Sequence, residues 1–395
     1  MTSVSRSNRY HIAVFGRRNV GKSSLVNCLA GQGVSIVSDV AGTTTDTVWK
    51  NIELPGIGAA VIADTAGFDD LGELGAMRVE ATRKVLARAD VALLLLDDAV
   101  DGALPEQKWL DMMRRQQLPV VLVAGKCDRE GSVERIRKLR AIFGDGVIAF
   151  SSATGEGRDE LLAQMALCYK SDENIDDITH SLVKTGDIVV LVMPQDASAP
   201  KGRIIQPQVQ TLRNLLDKHC IPLCCAPEEL PRLLQSLVVP PKLIITDSQV
   251  FAQVWKLTPP GTRLTSFSVL MARHKGDIDA FLGGAKALLA LPPTARVLIA
   301  EACSHIPQNE DIGRVKLPRL LRSKLGDGLV VDVVGGNDFP DELTGYDIVI
   351  HCGACMFNRR TVMSRVRQAK AQGVPITNYG IAIAALSGIL EKITV

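Results

Sequence analysis

The sequence predicts an α/β protein of three domains: an N-terminal domain with a mostly parallel sheet, a small α/β domain in the middle and a C-terminal α/β domain. Three observations carry that expectation. Short aliphatic runs at residues 11–15, 60–63, 91–96, 120–123 and 147–150 alternate with longer helix-like stretches, the rhythm of a parallel sheet covered by helices on both faces. A chain of 395 residues exceeds a single core at roughly 150 residues per domain. Hydrophobic residues at 46% against 22% charged exclude disorder of the whole chain.

The elements follow in order. The first domain is expected over residues 1–172, because the polar segment holding Asp172, Glu173, Asp176 and Asp177 breaks the aliphatic rhythm. Strand-like runs at 188–193 and 242–246, with a helical stretch at 208–219 between them, form a middle domain over 173–262 that ends near Pro259, Pro260 and Gly261. The last domain, 263–395, carries strand-like runs at 297–300, 329–334 and 347–350, with functional residues expected at strand ends.

Composition narrows the function. Lys and Arg number 45 against 43 Asp and Glu, so no global positive field favours nucleic acid or an anionic membrane. The N-terminus lacks an apolar signal segment, and the longest aliphatic run, 91–96, is far short of the roughly 20 residues that span a bilayer. A cytoplasmic location without membrane contact is expected. Nine cysteines in a reducing compartment read as thiols or metal ligands.

Gly16-Arg17-Arg18-Asn19-Val20-Gly21-Lys22-Ser23 fits G-x-x-x-x-G-K-[ST], after a strand and before an apolar-periodic helix, the setting of a phosphate loop. Backbone N–H groups of such a loop form a concavity for phosphate oxygens, Lys22 reaches the β- and γ-phosphates and Ser23 ligates magnesium. Gly16, Asn19, Val20, Gly21, Lys22, Ser23 and Ser24 are the expected phosphate-binding set. Asp64-Thr65-Ala66-Gly67 follows a strand, where Asp64 can hold magnesium through water and the Gly67 N–H can sense the γ-phosphate. Between them, Thr43 and Thr44 lie in Gly42-Thr43-Thr44-Thr45-Asp46. A threonine run alone is more often a solvated loop; in order with the other motifs it reads as a switch whose Thr44 ligates magnesium only with triphosphate bound. Lys22, Thr44, Asp64 and Gly67 are thus the candidate catalytic residues.

Gly125-Lys126-Cys127-Asp128 and Ser152-Ala153-Thr154 complete a set that resembles the translation-factor-like GTPases over about residues 10–165. The resemblance implies GTP and magnesium as cofactors, Asp128 on the N1 and N2 edge of guanine, Lys126 beneath the base and Ser152, Ala153 and Thr154 behind it. Gly125 stands where the family has asparagine, which removes one side-chain amide. Phe68 occupies the place of a water-positioning glutamine, so slow hydrolysis is expected. Asn19 resembles the asparagine by which related tRNA-modification and ribosome-assembly GTPases coordinate potassium, which implies potassium stimulation.

Cys303-Ser304-His305 and His351-Cys352-Gly353-Ala354-Cys355 each follow a strand-like run, and the interval between them has room for a helix–strand unit that would bring both loops to one sheet edge. Thiolate-rich ligation selects zinc or an iron–sulfur cluster, and spacing leaves both open. With its flanks Glu301-Ala302-Cys303-Ser304-His305 and Asp311-Ile312-Gly313-Arg314-Val315-Lys316-Leu317-Pro318, the pattern resembles the FeFe-hydrogenase maturation GTPases, the HydF family. That resemblance spans the chain. It implies a 4Fe-4S cluster on Cys303, Cys352 and Cys355, with His305, His351 or a nearby acidic residue as fourth ligand. It also implies a scaffold that takes a diiron precursor from radical-SAM maturases to apo FeFe-hydrogenase, and a homodimer formed through the middle domain. A ribosome- or tRNA-associated GTPase with a zinc knuckle, and a redox sensor in which the cluster gates hydrolysis, use the same residues. Cys28, Cys168, Cys220, Cys224 and Cys225 read as packing residues, and His11, His180, His219 and His274 as satisfied or solvent-facing.

Overall fold

The computed structural model describes residues 9–31, 49–68, 73–97, 103–170, 177–195, 204–302, 312–336 and 338–394. Two compact units divide the chain, Met1–Glu173 and Asn174–Val395.

The first unit is built from β1 (Tyr10–Phe15), α1 (Lys22–Ala30), β2 (Trp49–Leu54), β3 (Gly58–Asp64), α2 (Glu73–Leu86), β4 (Val91–Leu96), α3 (Leu104–Arg115), β5 (Val120–Ala124), α4 (Ser132–Phe143), β6 (Ile148–Ala149) and α5 (Arg158–Lys170). Its six-stranded sheet has the order β2-β3-β1-β4-β5-β6 and is parallel except for β2, which runs antiparallel to β3. Alternate residues of β1 feed opposite cores: Ile12 and Val14 pack with Leu25, Val26 and Leu161, whereas Ala13 and Phe15 pack with Trp109, Leu110 and Leu139. Burial on both faces explains why β1 and β4 are continuous apolar runs. β2 escapes a search for such runs because Lys50, Asn51 and Glu53 interrupt it, the mark of an edge strand. Asp64 therefore closes the third strand of the chain, not the second.

The second unit continues with β7 (Ile188–Val192), α6 (Gln206–Asp217), β8 (Ile221–Cys225), α7 (Leu230–Ser236), β9 (Leu243–Thr246), α8 (Phe251–Leu257), β10 (Arg263–Ser266), α9 (Phe267–Lys275) and α10 (Ile278–Leu289). It ends with β11 (Arg296–Ala300), α11 (Leu317–Leu325), β12 (Val330–Val334), β13 (Ile348–His351), α12 (Arg359–Ala371), β14 (Ile376–Asn378) and α13 (Tyr379–Leu386). Two parallel four-stranded sheets result, β10-β9-β7-β8 and β12-β11-β13-β14. One core joins them: Val190, Val192 and Ile244 of the first sheet and Leu298, Ala300 and Val349 of the second share a cluster with Val269, Phe281 and Ala285. The expected edge at 262/263 falls just ahead of β10, which completes the first of these sheets, so a division by sheets comes after α9 instead.

β8 is another strand that the aliphatic pattern passes over, because Pro222 and two cysteines stand where branched residues usually do. An edge position tolerates Pro222, whose missing N–H costs no ladder bond on the open side. The cysteines there part company: Cys225 packs on the shared core, Cys220 is buried with its Sγ directed at the Lys184 carbonyl, and Cys224 is exposed on the opposite face of the strand, contrary to a packing role.

Candidate functional site

The loop of residues 16–21 connects β1 to α1, so its backbone N–H groups gather at a helix N-terminus. Gly16 is fixed by space: a Cβ there would lie 2.9 Å from the Leu95 carbonyl oxygen and 2.9 Å from Val20 Cγ1. Asn19 takes the left-handed region at φ 56°, which asparagine tolerates better than most residues. Lys22 is buried, and its ammonium donates to the carbonyls of Gly16 at 3.1 Å and Arg17 at 2.7 Å, so it is poised inside the loop. Ser23 and Ser24 follow on the exposed side of α1.

Asp64 ends β3 in register with Val14, and Thr65 Oγ1 donates to the Val14 carbonyl at 2.7 Å, which ties this segment to the strand leading into the loop. Gly67 is buried next to Phe68. Phe68 itself stacks on Trp109 with ring centroids 5.3 Å apart, a packing role that removes its side chain from any part in positioning water. Thr43 and Thr44 lie outside the described residues.

At the other end, Lys126 (φ 60°) donates from Nζ to the Asn19 carbonyl at 2.7 Å, bridging the two loops. Asp128 Oδ1 accepts from Ser151 Oγ at 2.6 Å, and the same Oγ accepts from the N–H groups of Ala153 and Thr154, each at 3.2 Å. The Ser151 hydrogen bond holds the Asp128 carboxyl below its ordinary range. Ser151 is thus the hub on which Asp128 and the 152–154 loop turn, a residue the motif reading missed because it lies one position before the recognised triplet. A cavity of about 180 Å³ opens between these groups, lined by Val20, Gly21, Ser24, Lys126, Asp128 and Ser152 among others. A second missed residue is Glu106. It is 1% exposed and grips Arg17 through Nε–Oε1 at 2.6 Å and Nη2–Oε2 at 2.8 Å, fastening the loop to α3.

The cysteine motifs meet the second sheet. β11 and β13 are direct parallel neighbours with Ala300 opposite His351, so the segments leaving both strands start side by side. Cys303, Ser304 and His305 lie outside the described residues. Cys352 sits at the start of its loop, its N–H on the Ala300 carbonyl at 2.9 Å, and its Sγ accepts from the N–H groups of Ala302 at 3.0 Å and Ala354 at 3.4 Å. Burial pushes the Cys352 thiol up to about 11. Cys355 is half-buried in the same loop, after Ala354 in the left-handed region.

His351 is the last residue of β13, not a loop residue, and is 1% exposed. Arg365 Nη1 lies 3.1 Å from its Nε2; a guanidinium only donates, so Nε2 accepts and the Nδ1–H donates to the Cys352 carbonyl at 2.9 Å. Burial first, and Arg365 second, push this imidazole down to about 3, which keeps it neutral. Both ring nitrogens are engaged within the protein, so in this arrangement His351 orients the loop instead of offering a ligand atom. Glu301, the nearby acidic residue, is buried and receives Arg314 Nε at 3.1 Å.

Neither of the two cations beside this loop was legible in the sequence. Lys275 donates to the carbonyls of Ala354 at 3.2 Å and Phe357 at 2.9 Å, and burial pushes it down to about 8. Arg365 is 6% exposed, with its guanidinium 4.6 Å from the ring centres of both Phe339 and Phe357. His274, expected to be satisfied or solvent-facing, has a buried Nδ1 with no hydrogen-bond partner among the described residues, and burial pushes it down to about 4. Among the described residues no group of three or more His, Cys, Asp or Glu is close enough to hold a metal ion, and no helix is long and apolar enough to cross a membrane.

Comparison with known proteins finds three family matches. Residues 11–126 match the 50S ribosome-binding GTPase family, residues 178–276 the hydrogen maturase F dimerization domain and residues 279–394 the hydrogen maturase F tetramerization domain. The last two matches meet after α9, at the same place as the division by sheets. Among solved structures, the chain is similar to Aquifex aeolicus Era bound to GDP.AlF4- at 22% identity, over 55% of this chain and 92% of that one, with a TM-score of 0.34. It is also similar to the G domain of the T. maritima FeoB iron transporter at 24% identity, over 40% and 98%, with a TM-score of 0.32. Elongation factor SelB from Methanococcus maripaludis matches at 20% identity, over 41% and 34%, with a TM-score of 0.31. The N-terminal match makes the first unit a GTP-hydrolysing domain that binds GTP with magnesium, and the other two give the second unit oligomer-forming domains. With hydrogen maturase F domains across the second unit and a GTPase domain ahead of them, the chain belongs to the HydF family of hydrogenase maturation GTPases.

Proposed function

We propose that this protein is a GTP-driven scaffold and carrier in the cytoplasm, which holds a 4Fe-4S cluster on Cys303, Cys352 and Cys355, receives a diiron precursor from radical-SAM maturases and delivers it to apo FeFe-hydrogenase. The observation that carries the reading is the parallel pairing of β11 with β13, which starts the two cysteine segments from neighbouring strand ends. The described part of the donor set suits such a group. Cys352 Sγ already receives two backbone N–H groups, as a thiolate ligand would, and a buried ammonium stands by the loop. A bound 4Fe-4S cluster with three cysteine ligands supplies one iron whose fourth position is exchangeable. With His351 and Glu301 engaged inside the protein, His305 is the remaining named candidate for that position.

In the first unit, Lys22 leaves its two carbonyl partners to meet the β- and γ-phosphates, and the N–H groups of residues 16–24 cradle them. Ser23 and Thr44 ligate magnesium, Asp64 holds it through water and Gly67 senses the γ-phosphate. Asp128 reads guanine, Lys126 packs beneath the base, and Ser152, Ala153 and Thr154 back it. Asn19 would hold a potassium ion, whose charge would speed an otherwise slow hydrolysis. The chain works as a homodimer through the middle region.

Anaerobic purification, reconstitution with iron and sulfide, and EPR of the reduced sample test the assignment. About four irons per chain with a reduced 4Fe-4S signal, both lost in Cys352→Ser, are expected. Stoichiometric zinc retained against iron, with no such signal, would turn the reading to an assembly GTPase with a structural zinc site.

A further inference from the structure

Lys275 is the last residue of α9, within the stretch that matches the dimerization domain, yet its side chain serves the cysteine loop of the following domain. It is only 3% exposed. Two of its three N–H donors are spent on the Ala354 and Phe357 carbonyls, one inside the Cys352–Cys355 turn and one just beyond it. Among the described residues, the groups whose negative charge would favour its ammonium form are Cys355 and Cys352. A buried ammonium is costly to keep unless an anion stands near it. Arg365, a second buried cation, reaches the same loop through His351. Two thiols that become thiolates on metal binding are the anions this loop can provide.

We propose that Lys275 is the built-in counter-charge of the cysteine site: it shapes the loop through the Ala354 and Phe357 carbonyls and offsets the negative charge of the ligated thiolates. The proposal rests on Cys352 and Cys355 being ligands. Lys275 acts through the loop carbonyls, as a positioning residue. A positive charge fixed near a cluster favours its more negative, reduced state, so removing the charge makes reduction harder. Because Lys275 precedes the tetramerization match, a fragment that begins at residue 279 would carry the cysteines without it.

The test compares full-length wild type, K275M and K275R, purified anaerobically and read three ways: melting temperature of the metal-free protein, iron content after reconstitution, and midpoint potential from an EPR-monitored redox titration. Methionine keeps the apolar stem and removes the charge. The metal-free K275M is expected to stay folded, melting somewhat lower because the Ala354 and Phe357 carbonyls lose their donor, and to hydrolyse GTP within about twofold of wild type. Its reduced-cluster signal should appear at lower potential than wild type, with less iron bound, and K275R should restore both. A K275M protein with wild-type iron content and midpoint overturns the proposal. Wild type that takes up no cluster, or C352S that takes up a full one, instead removes the ligand assignment itself.

Discussion

Ser151 shows how much a site depends on a residue that no motif marks. Its hydroxyl donates to Asp128 and accepts from two N–H groups of the next turn, so its loss frees the carboxylate and strands both donors. Ser151→Ala is expected to weaken GDP and GTP binding about fivefold, the worth of one hydrogen bond near 1 kcal/mol, and to let the Asp128 carboxyl rise toward its ordinary range. Calorimetric titration of nucleotide reads the first effect and NMR titration of the carboxyl the second; unchanged affinity would demote Ser151 to a loop-packing residue. Local motifs such as the phosphate loop were legible because the backbone geometry they impose is encoded within eight consecutive residues. Ser151, Glu106, Lys275 and Arg365 were not, since each acts on a partner far along the chain or outside the motif, and only the folded sheet brings them together.

At the scale of elements, the phosphate loop is fastened sideways to α3 by the Arg17–Glu106 fork. Glu106 is fully enclosed, Arg17 partly so, which places the pair between an exposed ion pair and a buried one. Glu106→Gln should cost about 2 kcal/mol in urea unfolding of the first unit, with a larger relative loss of nucleotide affinity than a remote surface change of equal cost. A change under about 0.5 kcal/mol would mean that solvent already carries the arginine charge. Most strands found from sequence are central ones, where burial on both faces forces aliphatic runs; the edge strands β6 and β12 were found as well because their runs are aliphatic. β2, β8, β10 and β14, all edge strands, were passed over because they carry polar residues, proline or cysteine or are very short, and their pairing is decided by neighbours supplied elsewhere in the chain.

For the whole molecule, the division into two compact units predicts two unfolding steps by calorimetry, because the two sheets of the second unit share one core and should melt together. GTP with magnesium should raise the first step most, and a reconstituted cluster the second. Three resolved steps would separate the two sheets. Self-association belongs at the same scale: Ile221, 50% exposed on the open edge strand β8, is a candidate contact between copies.

The pairing of β11 with β13 also carries a timetable. Its strands are joined only after a long crossover through α11 and β12, so the cysteine segments cannot become neighbours until that loop has closed. A chain emerging from the ribosome, N-terminus first, has the nucleotide domain finished well before Cys352 and Cys355 are made. On the proposed cluster assignment, loading would wait until β13 has been made and has joined β11, because a chain halted before it would lack Cys352 and Cys355.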